Sequence, residues 1–543
     1  MSRAILLTIL SSALLIAAFP PLDIGFLAWV GMVPFFFALD GRKTEMRNLR
    51  NEKSENSLFL SLISRFSFLV STPFLLGLLW GIVFFLGTVY WVVNSMSNYG
   101  GVPVIASIFI LLLLVVCLSL FYASFGLLIS ITSSRGSLLV KLLFIPSAWA
   151  GIEYIRANMI LGGFPWVLLG YSQSSFLPLI QIADITAVYG VSFLIVIGNL
   201  FIFLMLSYWL KREKKFPLKE GLVVFVALIL VLAYGFLRIS QIDEASQNWE
   251  ALKIGIAQGN IDQGSKWDAS FQKKTVEIYK NLSLDLAKQD VKLIVWPETA
   301  VPFYLQSAKE LSSQIFDVPK KTNTYLLTGS PAYGLGFGNG IKYYNSAFLI
   351  SPKGEIIGRY DKIHLVPFGE YVPFKQYLPF IHKLVVGVGD FTPGKWLKPL
   401  EFNDNSFGVL ICFESIFPEL ARGFIKEGAG FLINMTNDAW FGRKSAPYQH
   451  FSQSVFRAVE NKVFLVRAAN TGISGVIDPI GRVRLKSSIF TTASMVEDIK
   501  VKKDNAITFY ARYGDVFAIG CIAFVAFIAL WRVLYASRYN VSL

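Results

Sequence analysis

The chain is poor in the residues that bind metals and close disulfides: its 543 residues include three cysteines and three histidines. His364, His382 and His450 have no zinc-type spacing and no cysteine pair to join them, which argues against a metal site. Cys117 and Cys521 fall within apolar runs and read as small buried hydrophobes. Cys412 is then a lone thiol in the long polar stretch, which excludes a disulfide framework there and points to a reactive group. Charge is scarce too. Only 16% of residues are Asp, Glu, Lys or Arg, against about 25% in soluble domains, so an ordinary soluble protein is excluded. No internal repeat or long low-complexity tract is present. Gly334, Gly336, Gly338 and Gly340 lack the strand-to-helix and Lys-Ser/Thr context of a phosphate cradle and read as a mobile loop.

What the chain has instead is apolar runs. Crossing a ~30 Å hydrocarbon core takes about 20 apolar residues in a helix. Eight runs are candidates, near 4–20, 24–39, 70–93, 103–132, 139–156, 181–209, 220–238 and 515–536, the second of them short. The net charge of +14 is the usual footprint of nucleic-acid binding, but its distribution argues against that partner. Lys and Arg collect at position 3, within 42–53, 135–141 and 211–219, and at 532 and 538, whereas 94–102 and 157–180 contain neither. This alternation is the positive-inside pattern. It predicts cytoplasmic termini and places 240–510 outside the cytoplasm. Arg3 precedes an apolar run, yet Phe19-Pro20-Pro21 stands where a signal peptide would have small residues, so an uncleaved helix is expected. Glu153 and Arg156, near the outer end of the fifth span, are expected to snorkel rather than pair or touch headgroups.

The predicted organisation is a membrane domain of seven helices over 1–239, a catalytic domain over 240–510, and a last span with its tail over 511–543. The middle stretch alternates. Strands are predicted at 252–257, 292–296, 323–329, 345–351, 355–360, 407–411, 431–435, 463–468 and 474–478, with helices at 268–289, near 305–317, after 412, and at 448–462. Short apolar strands alternating with helices imply an α/β sheet covered on both faces.

Three polar residues follow apolar strands, where functional groups collect in open α/β sheets. Glu298 ends KLIVWPE, Lys362 ends GRYDK, and Cys412 ends FGVLIC and opens a predicted helix. Each alone is usually unremarkable: a solvated glutamate, a turn lysine, a packed cysteine. Together they make one chemistry. A thiolate attacks, and a helix N-terminus or a neighbouring cation lowers its pKa. A carboxylate takes the thiol proton and later returns it. An ammonium stabilises the oxyanion, and the product is a thioester.

The local sequences resemble the nitrilase superfamily, through Trp296-Pro297-Glu298-Thr299, Tyr360-Asp361-Lys362 and Ile411-Cys412-Phe413-Glu414. Within it they look like the membrane-embedded apolipoprotein N-acyltransferase branch. The run from Lys362-Ile363-His364 through Pro367-Phe368-Gly369-Glu370-Tyr371 to Pro373 carries that likeness, as do Asn437-Asp438-Ala439-Trp440-Phe441-Gly442, Arg467-Ala468-Ala469-Asn470-Thr471-Gly472 and Gly163-Phe164-Pro165-Trp166. The resemblance covers essentially the whole chain. It implies an αββα sandwich, with Glu298 as general base and acid, Lys362 at the oxyanion and Cys412 as nucleophile. Glu370 matches a second active-site glutamate, and Trp267 and Glu414 match further functional positions. Phe413 stands where relatives often have Tyr, so any role of that hydroxyl is absent or taken over.

By the same resemblance the enzyme needs no cofactor and sits in the bacterial inner membrane, with its catalytic domain on the periplasmic side. It would move an acyl chain from a phospholipid to the α-amine of a diacylglyceryl-cysteine on an apolipoprotein. Two other readings remain. A tethered amidase or nitrile hydrolase would use the same triad with water, but one anchor would suffice for it. A transporter with an accessory domain predicts charges inside several spans, and these spans are nearly free of them. The apolar, proline- and glycine-bearing stretch 364–391 is expected to be an acyl-admitting lid.

Overall fold

A computed structural model describes residues 2–40, 72–132, 138–159, 162–213, 215–307, 309–335, 340–373, 390–504 and 506–538. They form two compact units, one from Met1–Tyr90, Ile108–Gly235 and Asp515–Leu543, the other from Trp91–Ser107 and Phe236–Gly514.

In the first unit the apolar runs become helices. Among the described residues five are long and apolar enough to cross a membrane: Thr72–Val89, Val104–Thr132, Leu138–Met159, Ala183–Trp209 and Leu218–Ala245, the second beginning and the last ending in residues of the second unit. The first, second and last expected spans are shorter apolar helices, Ser2–Ala17, Gly25–Asp40 and Val516–Arg532. Lipid supplies no hydrophobic push between helices, so close backbone approach and polar contacts do the joining. Gly77 and Gly81 provide that approach: a Cβ on them would lie 2.5 Å from the Tyr122 carbonyl oxygen and 2.8 Å from Ser119 Cα. Asn199 supplies a polar contact, donating to Ala28 O at 2.7 Å and accepting from Met32 N at 2.8 Å. Glu153 and Arg156 do not snorkel. Both are buried and clamp the 163–169 segment, Glu153 accepting from Leu169 N at 2.7 Å and Arg156 donating to Trp166 O at 2.9 Å. Backbone groups of that irregular segment meet one oxygen of Glu153 and one nitrogen of Arg156, holding both side chains inward.

The second unit is two six-stranded sheets. The strands are β1 Glu250–Gln258, β2 Leu293–Val295, β3 Tyr325–Leu335, β4 Ile341–Ile350, β5 Ile356–Asp361 and β6 Leu400–Phe402, then β7 Asn405–Ile411, β8 Phe431–Thr436, β9 Leu465–Ala469, β10 Gly475–Ile477, β11 Val483–Lys486 and β12 Ala493–Val501. Their orders are β12-β1-β2-β3-β4-β5 and β11-β10-β9-β8-β7-β6. Each sheet has a parallel centre, β1-β2-β3 and β7-β8-β9, with antiparallel strands outside it. Helices Ala269–Ala287 and Lys309–Thr322 cover the first sheet, and Pro418–Lys426 and Ala446–Asn461 the second. β1 faces β9 and β4 faces β7, giving the αββα sandwich. Burial on both faces explains why β8, FLINMT, is apolar with little alternation.

Several elements differ from expectation. The helix placed near 305–317 runs over Lys309–Thr322, because Leu305 N is taken by Ser330 Oγ at 3.3 Å in a preceding turn. Cys412 opens a five-residue 3₁₀ turn, Cys412–Ile416, and the α-helix begins only at Pro418. β6, β11 and β12 were not foreseen, since β6 is three residues long and β11 and β12 mix charged with apolar residues. Gly334 lies within β3 and Gly340 just before β4; Gly336 and Gly338 lie outside the described residues.

Candidate active site

Three loops meet around Lys362. Glu298 follows β2 by way of Trp296-Pro297, Lys362 is the first residue after β5, and Cys412 the first after β7. Lys362 is 1% exposed, with its Nζ 2.9 Å from Glu370 Oε2 and 3.5 Å from Glu298 Oε1. Its backbone is pinned as well, donating to Asn345 O at 2.9 Å and accepting from Gly394 N at 2.8 Å. Burial alone would lower the lysine's pKa, but Glu370, Glu298 and Cys412 outweigh it and hold the ammonium charged.

Each carboxylate has further donors. Asn345 Nδ2 bridges Glu298 Oε1 and Glu370 Oε1, at 2.8 Å to each. Glu298 Oε2 accepts from Asn437 N at 3.0 Å, and Glu370 Oε2 from Val366 N at 2.8 Å. Cys412 is buried and has φ +52°, a conformation a non-glycine residue adopts only when its surroundings enforce it. Ser415 Oγ donates to its carbonyl at 3.1 Å, and His450 Nε2 lies 3.2 Å from the same oxygen. Burial and then Glu298 push the thiol's pKa up, against the pull of Lys362. The resting group is therefore a thiol. The 3₁₀ turn is too short to offer a thiolate much helix-end support, and burial with Glu298 outweighs the neighbouring Lys362.

Glu414 is fully buried and ties the nucleophile's turn to the lysine's loop. Its Oε1 accepts from Tyr360 Oη at 2.8 Å, Ile363 N at 2.7 Å and His364 N at 3.1 Å, and its Oε2 from Ile411 N at 2.7 Å. Burial pushes its pKa up to about 7 against these donors. Phe413 packs edge-on against Phe417, with ring centroids 5.1 Å apart, and near the His364 ring at 5.9 Å. Trp267 is half-buried, and its buried indole N–H has no hydrogen-bond partner among the described residues. Of the stretch expected to form a lid, 374–389 lies outside the described residues.

Several residues of the site gave no signal of their own in the sequence. Asn345 sits mid-strand in β4. Lys266, beside Trp267, is 1% exposed and donates to Thr299 Oγ1 at 2.6 Å and Glu298 O at 3.3 Å. Behind Cys412, Asp438 accepts from Arg467 at 2.8 Å and lies 3.0 Å from His450 Nδ1, whose ring reaches Ser415 Oγ at 2.7 Å through Nε2. Against the cost of burial, Arg467 and then His450 hold Asp438 down to about 2. The motif around Asn437 and Asp438 was visible as a resemblance; its use in holding Glu298 and the nucleophile's turn was not. Groups of three or more ligands suited to a metal ion are absent among the described residues.

A buried carboxylate, ammonium and thiol in this arrangement can run acyl transfer through a thioester. The carbon-nitrogen hydrolase model matches residues 253–502, and the apolipoprotein N-acyltransferase N-terminal domain model matches 57–201. The solved carbon-nitrogen hydrolase from Helicobacter pylori G27 is 20% identical, covering 46% of this chain and 90% of its own, with a TM-score of 0.37. The apolipoprotein N-acyltransferase of Methylococcus capsulatus is 34% identical over 84% of this chain and 87% of its own. That of Geobacter metallireducens is 43% identical over 97% of this chain and 95% of its own. On that similarity, this membrane protein with a nitrilase-type fold belongs to the apolipoprotein N-acyltransferase family.

Proposed function

We propose that the chain transfers a fatty acyl chain from a membrane phospholipid to the α-amino group of an apolipoprotein's N-terminal diacylglyceryl-cysteine, by way of a thioester on Cys412. The observation that carries this reading is the meeting of Glu298, Lys362 and Cys412 in one buried site of a chain from this family. Glu298 takes the thiol proton as Cys412 Sγ attacks the ester carbonyl carbon. The resulting oxyanion is stabilised by the Lys362 ammonium. As it collapses, the carbon–oxygen ester bond breaks, and the leaving alkoxide takes the proton from Glu298 and departs as lysophospholipid. In the second half the amine attacks the thioester, Glu298 accepts its proton, and the thiol reforms as the amide is released.

Both substrates are lipid-anchored, and the membrane helices keep the enzyme in the same bilayer. Burial of the site also limits the access of water to the thioester. In this reading the chain sits in the bacterial inner membrane, its catalytic domain faces the periplasm and both termini face the cytoplasm, a placement that the charge pattern supports. Intact mass after incubation with phospholipid alone is the test. One added acyl group is expected, lost in Cys412→Ser because an alcohol is a far weaker nucleophile. A hydroxylamine-sensitive adduct persisting in Cys412→Ser would remove Cys412 from the mechanism, and transfer of the acyl group to water rather than to a lipopeptide would make the enzyme a hydrolase.

A further inference from the structure

Among the buried ionisable groups that the reaction above leaves unused, one touches the turn that carries Glu298. Lys266 is 1% exposed, in the turn between β1 and the helix Ala269–Ala287. That turn is held from behind: Asn470 Oδ1 accepts from Ile261 N at 2.8 Å, and Gln263 Oε1 from Asn437 Nδ2 at 2.6 Å. From it Nζ reaches the main-chain oxygen of Glu298 at 3.3 Å and the hydroxyl of Thr299 at 2.6 Å. Thr299 has φ +45°, costly for a β-branched residue and stable only where contacts over-determine it. Lys266 supplies two such contacts, to the turn that aims the Glu298 carboxylate.

The charges around that carboxylate point the same way. The groups facing Glu298 are Lys362, Glu370 across Asn345, Cys412, and Lys266. With Lys362 alone, two carboxylates share one ammonium in a buried site. Lys266 sets a second cation against them, while Glu414 and Asp438, the other buried carboxylates nearby, are held by donors of their own. Proton transfer from Cys412 to Glu298 leaves the site's net charge unchanged, so the balance of charge governs whether Glu298 begins unprotonated. We propose that Lys266 is a positioning residue and the second cation of the site: it fixes the Thr299 turn and keeps Glu298 in the base form that deprotonates Cys412. Burial lowers its pKa to about 8, against the opposing pull of Glu298 and Cys412, so the charge is present at neutral pH.

This inference rests on Glu298 being the base, and the experiment separates the two. Acyl-enzyme formation is followed from pH 5 to 9 in full-length protein in detergent, using phosphatidylethanolamine with a radiolabelled acyl chain. Glu298→Gln should form no adduct at any pH; normal acylation in that variant overturns the reading of Glu298 itself. In Lys266→Met the rate should fall, and the acid limb should move up by about one pH unit, the size expected when an opposite charge within a few ångströms is removed. A packing role would lower the rate at every pH without moving the limb, so an unmoved limb overturns the charge role. Thr299→Val leaves the lysine in place and removes its 2.6 Å acceptor. It should slow acylation about tenfold with the limb unmoved, and Thr299→Ser should restore the rate; an unaffected Thr299→Val overturns the positioning role even if Lys266→Met does not fold.

Discussion

Lys362 Nζ lies 2.9 Å from Glu370 Oε2, closer than to the carboxylate of the proposed base. Glu370 thus acts as the lysine's resting partner, leaving Glu298 more weakly engaged and free to accept a proton. With 1% exposure, the ammonium has no room to exchange for a larger planar group. Lys362→Arg keeps the charge but cannot place a single point donor at the oxyanion. Its acylation rate should fall by about 10²–10³, the usual cost of one oxyanion donor. A near-normal rate in single-turnover acylation would reduce Lys362 to a source of general positive charge.

The raised pKa of Cys412 gives a second expectation. With no standing thiolate, alkylation by iodoacetamide near pH 7 should be slow and should depend on Glu298. Glu298→Gln removes the base but also the charge that raises the thiol's pKa, so its alkylation rate should climb steadily with pH, as for a buried thiol with no base, where the parent's levels off. Equal rates in the two proteins would mean that the thiol ionises without Glu298.

How far the sequence could be read follows from how local each signal was. Glu298, Lys362 and Cys412 were legible because each ends an apolar strand within a distinctive motif. Asn345 was not, because its function is to face two carboxylates separated from it by 47 and 25 positions, and an asparagine in a strand has no pattern that says so. Lys266 was missed for the same reason, although Trp267 beside it was picked out. The apolar spans and the central strands announced themselves by composition. β12 did not: it lies antiparallel on β1, pairing Ala251 with Lys500 and Gly255 with Val496, and its polar residues read as loop.

His364 stacks on Phe417 at 3.6 Å between ring centroids, and burial, then Lys362, lowers its pKa to about 4. The neutral ring is favoured in the folded state. That stability is fully present above the unfolded value near 6.5 and is lost as pH falls through about 4. The loss attributable to His364 should reach roughly 2–3 kcal/mol by the bottom of that window. His364→Leu should therefore flatten the decline in melting temperature between pH 6.5 and 4, with buried His450, also lowered, setting what remains. An unchanged decline would assign the acid sensitivity to other groups.

The last prediction concerns residues 91–107, which the sequence divides between two spans and the connection 94–102 but which belong to the catalytic unit. Asn94 Nδ2 and Ser95 Oγ both donate to the carbonyl of Trp440, at 3.0 and 2.9 Å. Trp91 packs edge-on against Phe441 with centroids 4.7 Å apart, and Tyr99 against Trp440 at 5.6 Å. The clasped turn, Asp438–Phe441, directly follows Asn437, whose N–H holds Glu298 Oε2 at 3.0 Å. Replacing Asn94 and Ser95 together by alanine removes two hydrogen bonds worth about 1 kcal/mol each. It should lower the stability of the catalytic unit by roughly that sum and, through Asn437, slow acylation several-fold. Ser97→Ala is the control in the same segment, since Ser97 Oγ donates to Val93 O of its own helical stretch, at 2.8 Å, and should leave the rate alone. If the double variant melts and acylates like the parent while Asn437 remains bonded to Glu298, the 91–107 segment rests on the turn without steadying it.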